Sequence, residues 1–359
     1  MNIDAIGFFA PWLIYAAVLV LHLLLPAQRV RGYVCDAAGV PLAYRLNGLP
    51  VLLVVLGLWW FAGSYELIAR SWLWEHRWAA LAGAVTLGLV FTFAIVLPAA
   101  PRRGWLADLY LGRLENPRVL GGRLDLKMFL YQVGATMLAL NLASFAAHHV
   151  LRFGDAASPG VLLHVALFGF FLLDYLFFER VHLYTYDLFA ERVGFKLGWG
   201  CLAFYPYFYA APLWSTADRP DPGTPTWLLA SYTAIFFAGW MLARGANLQK
   251  FFFKLDRRHR FLGVLAPETV ADDHHALLCN GFWGVSRHVN YLGELLMASG
   301  LALVLGWPGA IGPWLYPIYY LVLLVPRERD DHRRCAAKYG ALWDRYCAKV
   351  RWRIVPGIY

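Results

Sequence analysis

The chain has 359 residues, of which 60% are hydrophobic, 17% aromatic and only 15% charged, with a formal net charge of +9. A soluble globular domain does not carry that balance, so the composition excludes one and reads as membrane-embedded. The positive charge needs no nucleic acid or acidic partner, because the distribution of Lys and Arg described next accounts for it.

Crossing a hydrocarbon core takes roughly 20 mostly apolar helical residues. Nine stretches approach that length, at about 8–25, 49–65, 79–97, 128–146, 160–178, 197–213, 226–243, 290–306 and 311–325. The expected fold class is therefore an all-α polytopic membrane protein of about nine, or ten, transmembrane helices. With the N-terminus outside, 28 of the 32 Lys and Arg fall in inside segments, leaving Arg70, Arg77, Arg152 and Arg219 outside. That asymmetry predicts a cytoplasmic-side C-terminal tail. The first span lacks a basic leader and a small-residue cleavage site, so it reads as a retained helix rather than a secretory signal.

In chain order, Gly39 to Pro50 reads as a plain turn back into the membrane. Trp59, Trp60, Trp72, Trp74 and Trp78 read as an interfacial aromatic belt. In the basic loop from Arg102 to Lys127, Pro117 breaks the helix and Gly121 with Gly122 permits a tight turn. Asn141 is expected to hydrogen-bond between helices, and His148 and His149 to lie on different faces at an interface. The fifth span carries Asp174 within the apolar run and Glu179 at its inner end, and an acid at membrane depth is a functional candidate. On a continuous helix Tyr175, Glu179, His182 and Tyr186 share one stripe able to line a pocket, with pairing of Glu179 to Arg180 or Lys196 as the alternative. The segment from Arg244 to His288 reads as a loop whose Lys250, Lys254, Arg257, Arg258 and Arg260, interleaved with Phe251 to Phe253, suit anionic lipid or phosphate. The tail reads as a charged amphipathic helix in which Arg327, Arg333 and Arg334 surround Asp331 and keep it ionised. Cys35, Cys201, Cys279, Cys335 and Cys347 form no CxxC pair, no zinc spacing is present, and no glycine-rich nucleotide loop of the soluble kinds occurs. No disulfide or metal site is expected.

Several motifs together carry a resemblance. Leu277 to Glu294, LLCNGFWGVSRHVNYLGE, and the tail with Arg327, Glu328, Asp331, Cys335, KYG at 338–340, Trp343, Tyr346, Cys347 and RIVPGIY resemble the sterol reductase family, which includes the C14, C7 and C24(28) reductases and the membrane region of the lamin B receptor. Upstream, YRLNG at 44–48, NPR at 116–118, Asp125, Lys127, Glu179, Asp187 and ANLQK at 246–250 extend it over nearly the whole chain. DLFAERVGF at 187–195 is most similar to the C14 reductases. Val289 stands where the family has Pro, which suggests a looser turn; Lys254 replaces a common Arg and Asp330 a frequent Arg. The first span of longer relatives and any soluble N-terminal domain are expected to be absent, which removes the motive for a lamin B receptor role.

The resemblance implies reduction of a sterol carbon–carbon double bond, C14=C15 foremost, with NADPH, by protonation and then hydride transfer, within sterol biosynthesis. Residues 1–225 would supply the N-terminal helices and sterol pocket, and 226–359 the cofactor half, in one membrane-embedded domain. The implied cofactor contacts are Lys250, Lys254, Trp283, Arg287, His288, Asn290, Tyr291, Arg327, Asp331, Lys338, Tyr339 and Tyr346, with Trp283 stacking a flat ring. Asp331 is the leading proton donor, partnered by Tyr175 or Glu179. The partners are a sterol and membrane lipid. Two rival readings stand beside this one: a membrane methyltransferase of the isoprenylcysteine type using S-adenosylmethionine, and a non-enzymatic sterol-binding protein.

Overall fold

The computed structural model describes residues 4–359 and is mostly helical. Two compact units divide the chain, Met1–Asp221 and Pro222–Tyr359.

In the first unit, α1 (Ala5–Leu24) is capped by Asp4, whose carboxylate accepts from the Gly7 N–H at 2.9 Å. There follow β1 (Gln28–Cys35), β2 (Pro41–Leu46), α2 (Gly48–Ser64) and α3 (Arg77–Val96). The expected plain turn at 39–50 is instead the second strand of an antiparallel hairpin, with Arg29 opposite Arg45, running directly into α2. Between α3 and the next long helix, Leu120, Gly121 and Gly122 all have positive φ and join β3 (Arg118–Val119) to β4 (Leu124–Asp125), which is the tight turn expected there. α4 (Leu126–Phe153) starts at the Asp125 cap. Its Val133, Ala135, Met137 and Leu138 are fully buried, as befits a helix apolar on every side at the centre of a bundle. Pro159 opens α5 (Pro159–Phe177), a position where its missing N–H costs nothing.

The span expected at 197–213 is not one helix. It is assembled from Phe195–Trp199, a π-helical turn at Gly200–Phe204, Tyr205–Phe208 and Ala211–Thr216. Pro206 and Pro212 lie in it, and each removes a backbone donor. Asn141 of α4 meets the break, donating to the Pro206 carbonyl at 2.8 Å. His149 is buried and accepts from the Ser158 N–H, whereas His148 stacks on Trp74 with ring centres 4.4 Å apart. Trp74 is thereby a core residue rather than a member of an aromatic belt.

The second unit contains α6 (Thr226–Leu255), β5 (Thr269–Ala271), β6 (Ala276–Leu278), α7 (Val289–Leu303), α8 (Ile311–Tyr339) and α9 (Ala341–Lys349). α6 runs well past the expected end at 243, so Lys250 and Lys254 sit on a helix rather than in a loop. Likewise the last span and the charged tail are one helix, α8, carrying Pro317 and Pro326 inside it.

Among the described residues five helices, α1, α3, α4, α5 and α6, are long and apolar enough to cross a membrane, and α2 and α7 are shorter apolar helices. α6 and α7 cross closely because small residues face each other there. A Cβ added to Gly293 would come within 2.5 Å of the Ala243 N and the Gly239 carbonyl, both backbone atoms that cannot swing aside. Close helix packing through small residues is the usual device in a lipid solvent, which offers no hydrophobic drive between helices. Gly293→Ala is expected to lower the melting temperature in detergent, at a cost of about 1–3 kcal/mol. Gly57→Ala, where nothing lies within 4 Å of the added carbon, should leave it unchanged or raised.

Candidate functional site

The site is built in the second unit around the turn from Asn280 to Tyr291. Gly281 opens it at φ 59°, and a Cβ there would strike the Gln249 carboxamide. That carboxamide grips the turn from both sides: Gln249 Oε1 accepts from the Phe282 N–H at 3.0 Å and its Nε2 donates to the Asn280 carbonyl at 3.2 Å. Farther along, the chain at 352–354 runs beside 286–288. The Arg287 and His288 N–H groups donate to the carbonyls of Trp352 and Arg353, at 2.9 and 2.8 Å, and the Ser286 hydroxyl to that of Ile354 at 2.9 Å. Val289, which stands where the resemblance expects proline, is fully buried against Ala246, Phe253, Leu278 and Trp283.

Charge gathers on these supports. The electrostatic fields of Lys250, Lys338 and Asp331 all reach the Lys254 ammonium. His288 Nε2 lies 3.8 Å from Asp331 Oδ2, and the His288 ring stacks on Tyr291 with centres 4.7 Å apart. Burial, with help from Lys250, Arg287, Arg353 and His332, depresses the His288 pKa to about 3, so its imidazole is neutral. Arg287 is buried; its Nη1 donates to Cys347 Sγ at 2.9 Å and its Nη2 to the Arg351 carbonyl at 3.2 Å. Tyr339, Trp343 and Tyr346 form a stacked aromatic row.

Other placements correct the expectations. Trp283 is not open to stack a ligand: one face is covered by the Lys250 ammonium, 4.5 Å from the ring centre, and its Nε1 donates to the Ala246 carbonyl at 2.8 Å. Arg333 and Arg334 lie at Asp330, three and four residues before them on α8, at 3.5 and 3.9 Å. The Asp331 carboxylate has His288 and the Cys335 thiol beside it. Arg327 precedes Asp331 by one turn of α8.

Tyr175 and Glu179 belong to the first unit, and the stripe expected to join them is broken. The helix ends at Phe177, Glu179–His182 is a separate turn, and Tyr186 starts another. Tyr175 keeps His182, their ring centres 4.0 Å apart. Glu179 goes elsewhere: its Oε2 accepts from the Gly48 N–H at 3.0 Å, while Lys196 pairs with Glu191 at 2.6 Å. Burial pushes the Glu179 carboxyl up to about 7, against the opposing pull of that N–H.

Residues outside the expected set complete the site. His332 Nδ1 accepts from the Trp343 indole N–H at 3.2 Å, so this nitrogen carries no proton. Glu328, almost fully buried, is bound by Arg353 Nη1 at 3.1 Å and by the Tyr359 hydroxyl at 3.2 Å. Gln249 lies within ANLQK and Glu328 in the pair at 327–328, so the resemblance marks both without revealing what they hold; nothing local in the sequence distinguishes His332 from a surface residue.

Comparison with known proteins now bears on this geometry. Residues 3–359 match the ergosterol biosynthesis ERG4/ERG24 family, and the chain belongs to it. It is similar to a Delta(14)-sterol reductase of Methylotuvimicrobium alcaliphilum, 32% identical over 99% of this chain and 83% of the relative. The Delta(14)-sterol reductase of Arabidopsis thaliana is 30% identical over 94% of this chain and 91% of its own length. Delta(14)-sterol reductase TM7SF2 of Mus musculus is 31% identical, covering 98% and 86%.

A neutral buried His288 has a consequence for stability. The unfolded chain takes up this proton near the ordinary value of 6.5, whereas the folded chain refuses it down to about 3. The stability it supports is therefore fully present above about 6.5 and is lost as pH falls toward 3. Thermal melts in detergent from about pH 7.5 to 5 should fall more steeply for the wild type than for His288→Asn, which does not titrate.

Proposed function

We propose that this protein reduces the C14=C15 double bond of a sterol with NADPH, in sterol biosynthesis, by protonation followed by hydride transfer. The observation that carries the cofactor assignment is a pair of buried polar atoms left without partners inside the basic cluster: Arg287 Nε, a donor, and Asn290 Oδ1, an acceptor. Buried polar groups are ordinarily satisfied, so a ligand presenting both acceptors and donors amid Lys250, Lys254, Arg287 and Lys338 fits. A nicotinamide dinucleotide with its phosphates, ribose hydroxyls and carboxamide is such a ligand. When bound it supplies hydride. The relatives' name, Delta(14)-sterol reductase, supports the choice of substrate.

The protein's residues divide the remaining work. Lys250, Lys254, Arg287 and Lys338 hold the phosphates, with Arg327 beside them; Asn290, Tyr291, Tyr339 and Tyr346 orient the rest. An isolated alkene accepts hydride only once its other carbon has been protonated, so an acid is required. Asp331 carries that proton. The neutral His288 beside it can turn an N–H toward the carboxylate that this transfer leaves, steadying it without adding a second charge. Tyr175 and Glu179 act on the sterol side. The basic site and the tail face the cytoplasm, with about nine spans and the N-terminus opposite, as the distribution of Lys and Arg supports.

Purified protein given a Δ14 sterol should oxidise NADPH and yield a product heavier by two hydrogens; S-adenosylmethionine should neither bind nor be consumed. Asp331→Asn should lower turnover by about a hundredfold or more, and wild-type turnover in that variant would remove Asp331 from the proton step. Lys254→Met should weaken NADPH binding about tenfold in a direct titration while sterol binding is retained.

A further inference from the structure

A cavity of about 180 Å³ lies in the first unit between the head of α2 and the end of α5. Its walls divide by depth. Leu46, Asn47, Leu176 and Glu179 are buried, whereas Gln28, Pro50, Phe177 and Arg180 are exposed at the rim. Phe177 is 68% exposed at the end of an apolar helix, so the rim includes bilayer-facing surface.

The orientation of Asn47 is settled by its neighbours. Its Nδ2 donates to two carbonyls, His22 at 3.0 Å and Leu25 at 3.3 Å, and a flipped amide would set oxygen against oxygen. Oδ1 is thereby left as a buried acceptor that makes no well-formed hydrogen bond, though the His22 ring lies near the Asn47 side chain. Such an atom calls for a donor from outside the chain. The charges around the cavity restrict the donor further. Glu179 disfavours an anion, and Arg180 at the rim disfavours a cation. A neutral group that both donates and accepts, a hydroxyl, meets both conditions. Size decides the rest: whole small-molecule sites occupy roughly 300–1,000 Å³, so a cavity of about 180 Å³ takes only the end of a longer molecule.

We infer that this cavity binds the hydroxyl end of a sterol, with Asn47 Oδ1 accepting from the hydroxyl and the apolar body lying along Phe177 and Pro50 in the lipid. The choice of a sterol among membrane alcohols rests on the proposed function; the requirement for a neutral hydroxyl does not. On this reading Glu179 recognises the alcohol end of the sterol and takes no part in protonating the distant double bond.

The test uses the full-length protein in detergent, a photoreactive sterol with a free 3-hydroxyl, and peptide mapping of the labelled sites. Labelling should fall on segments 46–50 and 176–180. An excess of unlabelled 3-hydroxysterol should compete at least about fivefold better than its 3-O-methyl ether, the ratio for loss of one hydrogen bond worth about 1 kcal/mol. Leu49→Trp, which fills the cavity while leaving Asn47 and Glu179 themselves unsubstituted, should reduce labelling by a similar factor with an unchanged melting temperature. Should that variant melt early, the competition between alcohol and ether on wild-type protein decides alone. Equal competition by the ether, or labelling confined to other segments, would overturn the inference and leave the cavity to water. Sterol-dependent NADPH oxidation measured on the same preparation tests the proposed function separately, so turnover without labelling here would refute only the cavity assignment.

Discussion

A chain that lies mostly in lipid has no water to meet the unpaired backbone groups at its helix ends, so side chains from elsewhere must do so. In the first unit this constraint organises the loops. Arg45 and Asn47 donate to the carbonyls that end α1, at His22, Leu23 and Leu25. Glu179 meets the first N–H of α2 from across the fold. Arg113 donates to the carbonyls of Val96 and Ala99 at the end of α3, and is itself held by the buried Asp108. Asp125 caps α4 from its own sequence neighbourhood. The YRLNG motif thus has a plain physical meaning: its Arg and Asn close one helix and its Gly opens the next.

The same constraint explains why polar residues near the membrane are double-edged as functional markers. Glu179 looked catalytic because an acid at that depth is costly. Its visible partner is a helix end, and its neighbour Asn47 is left with a single unmet acceptor. That residual need, rather than the acid by itself, is what points outward to a ligand. In the second unit the corresponding needs sit on Arg287 Nε and Asn290 Oδ1, within a cluster of cations that a multiply charged cofactor would neutralise.

The gathering of charge in the second unit was legible in the sequence, because its residues fall in three short segments, 250–254, 287–288 and 331–338, each rich in basic or polar side chains. Lys250 and Lys254, Arg287, His288, Asp331 and Lys338 do come together. What could not be read was how the motifs are held. Gln249 grips a turn 31 to 33 residues away in sequence, and the segment at 352–354 holds 286–288 largely through backbone hydrogen bonds, which carry no side-chain signature. The stacking role assigned to Trp283 failed for a related reason: an exposed indole and one covered by a lysine have the same sequence.

Composition and the asymmetry of Lys and Arg determined that the chain is a helical membrane protein, since hydrophobic length and charge placement are local quantities that survive in any arrangement of the helices. Motif content likewise determined its family. Only the tertiary structure decided where helices stop. α5 ends at Phe177 and breaks the stripe from Tyr175 to Tyr186; the apolar run at 197–213 is four short pieces; α6 and α8 run through segments that read as loop and tail. Helix ends depend on which distant side chain can satisfy the freed backbone groups, and on whether small residues such as Gly239 and Gly293 let neighbours approach. Neither is a property of the segment itself.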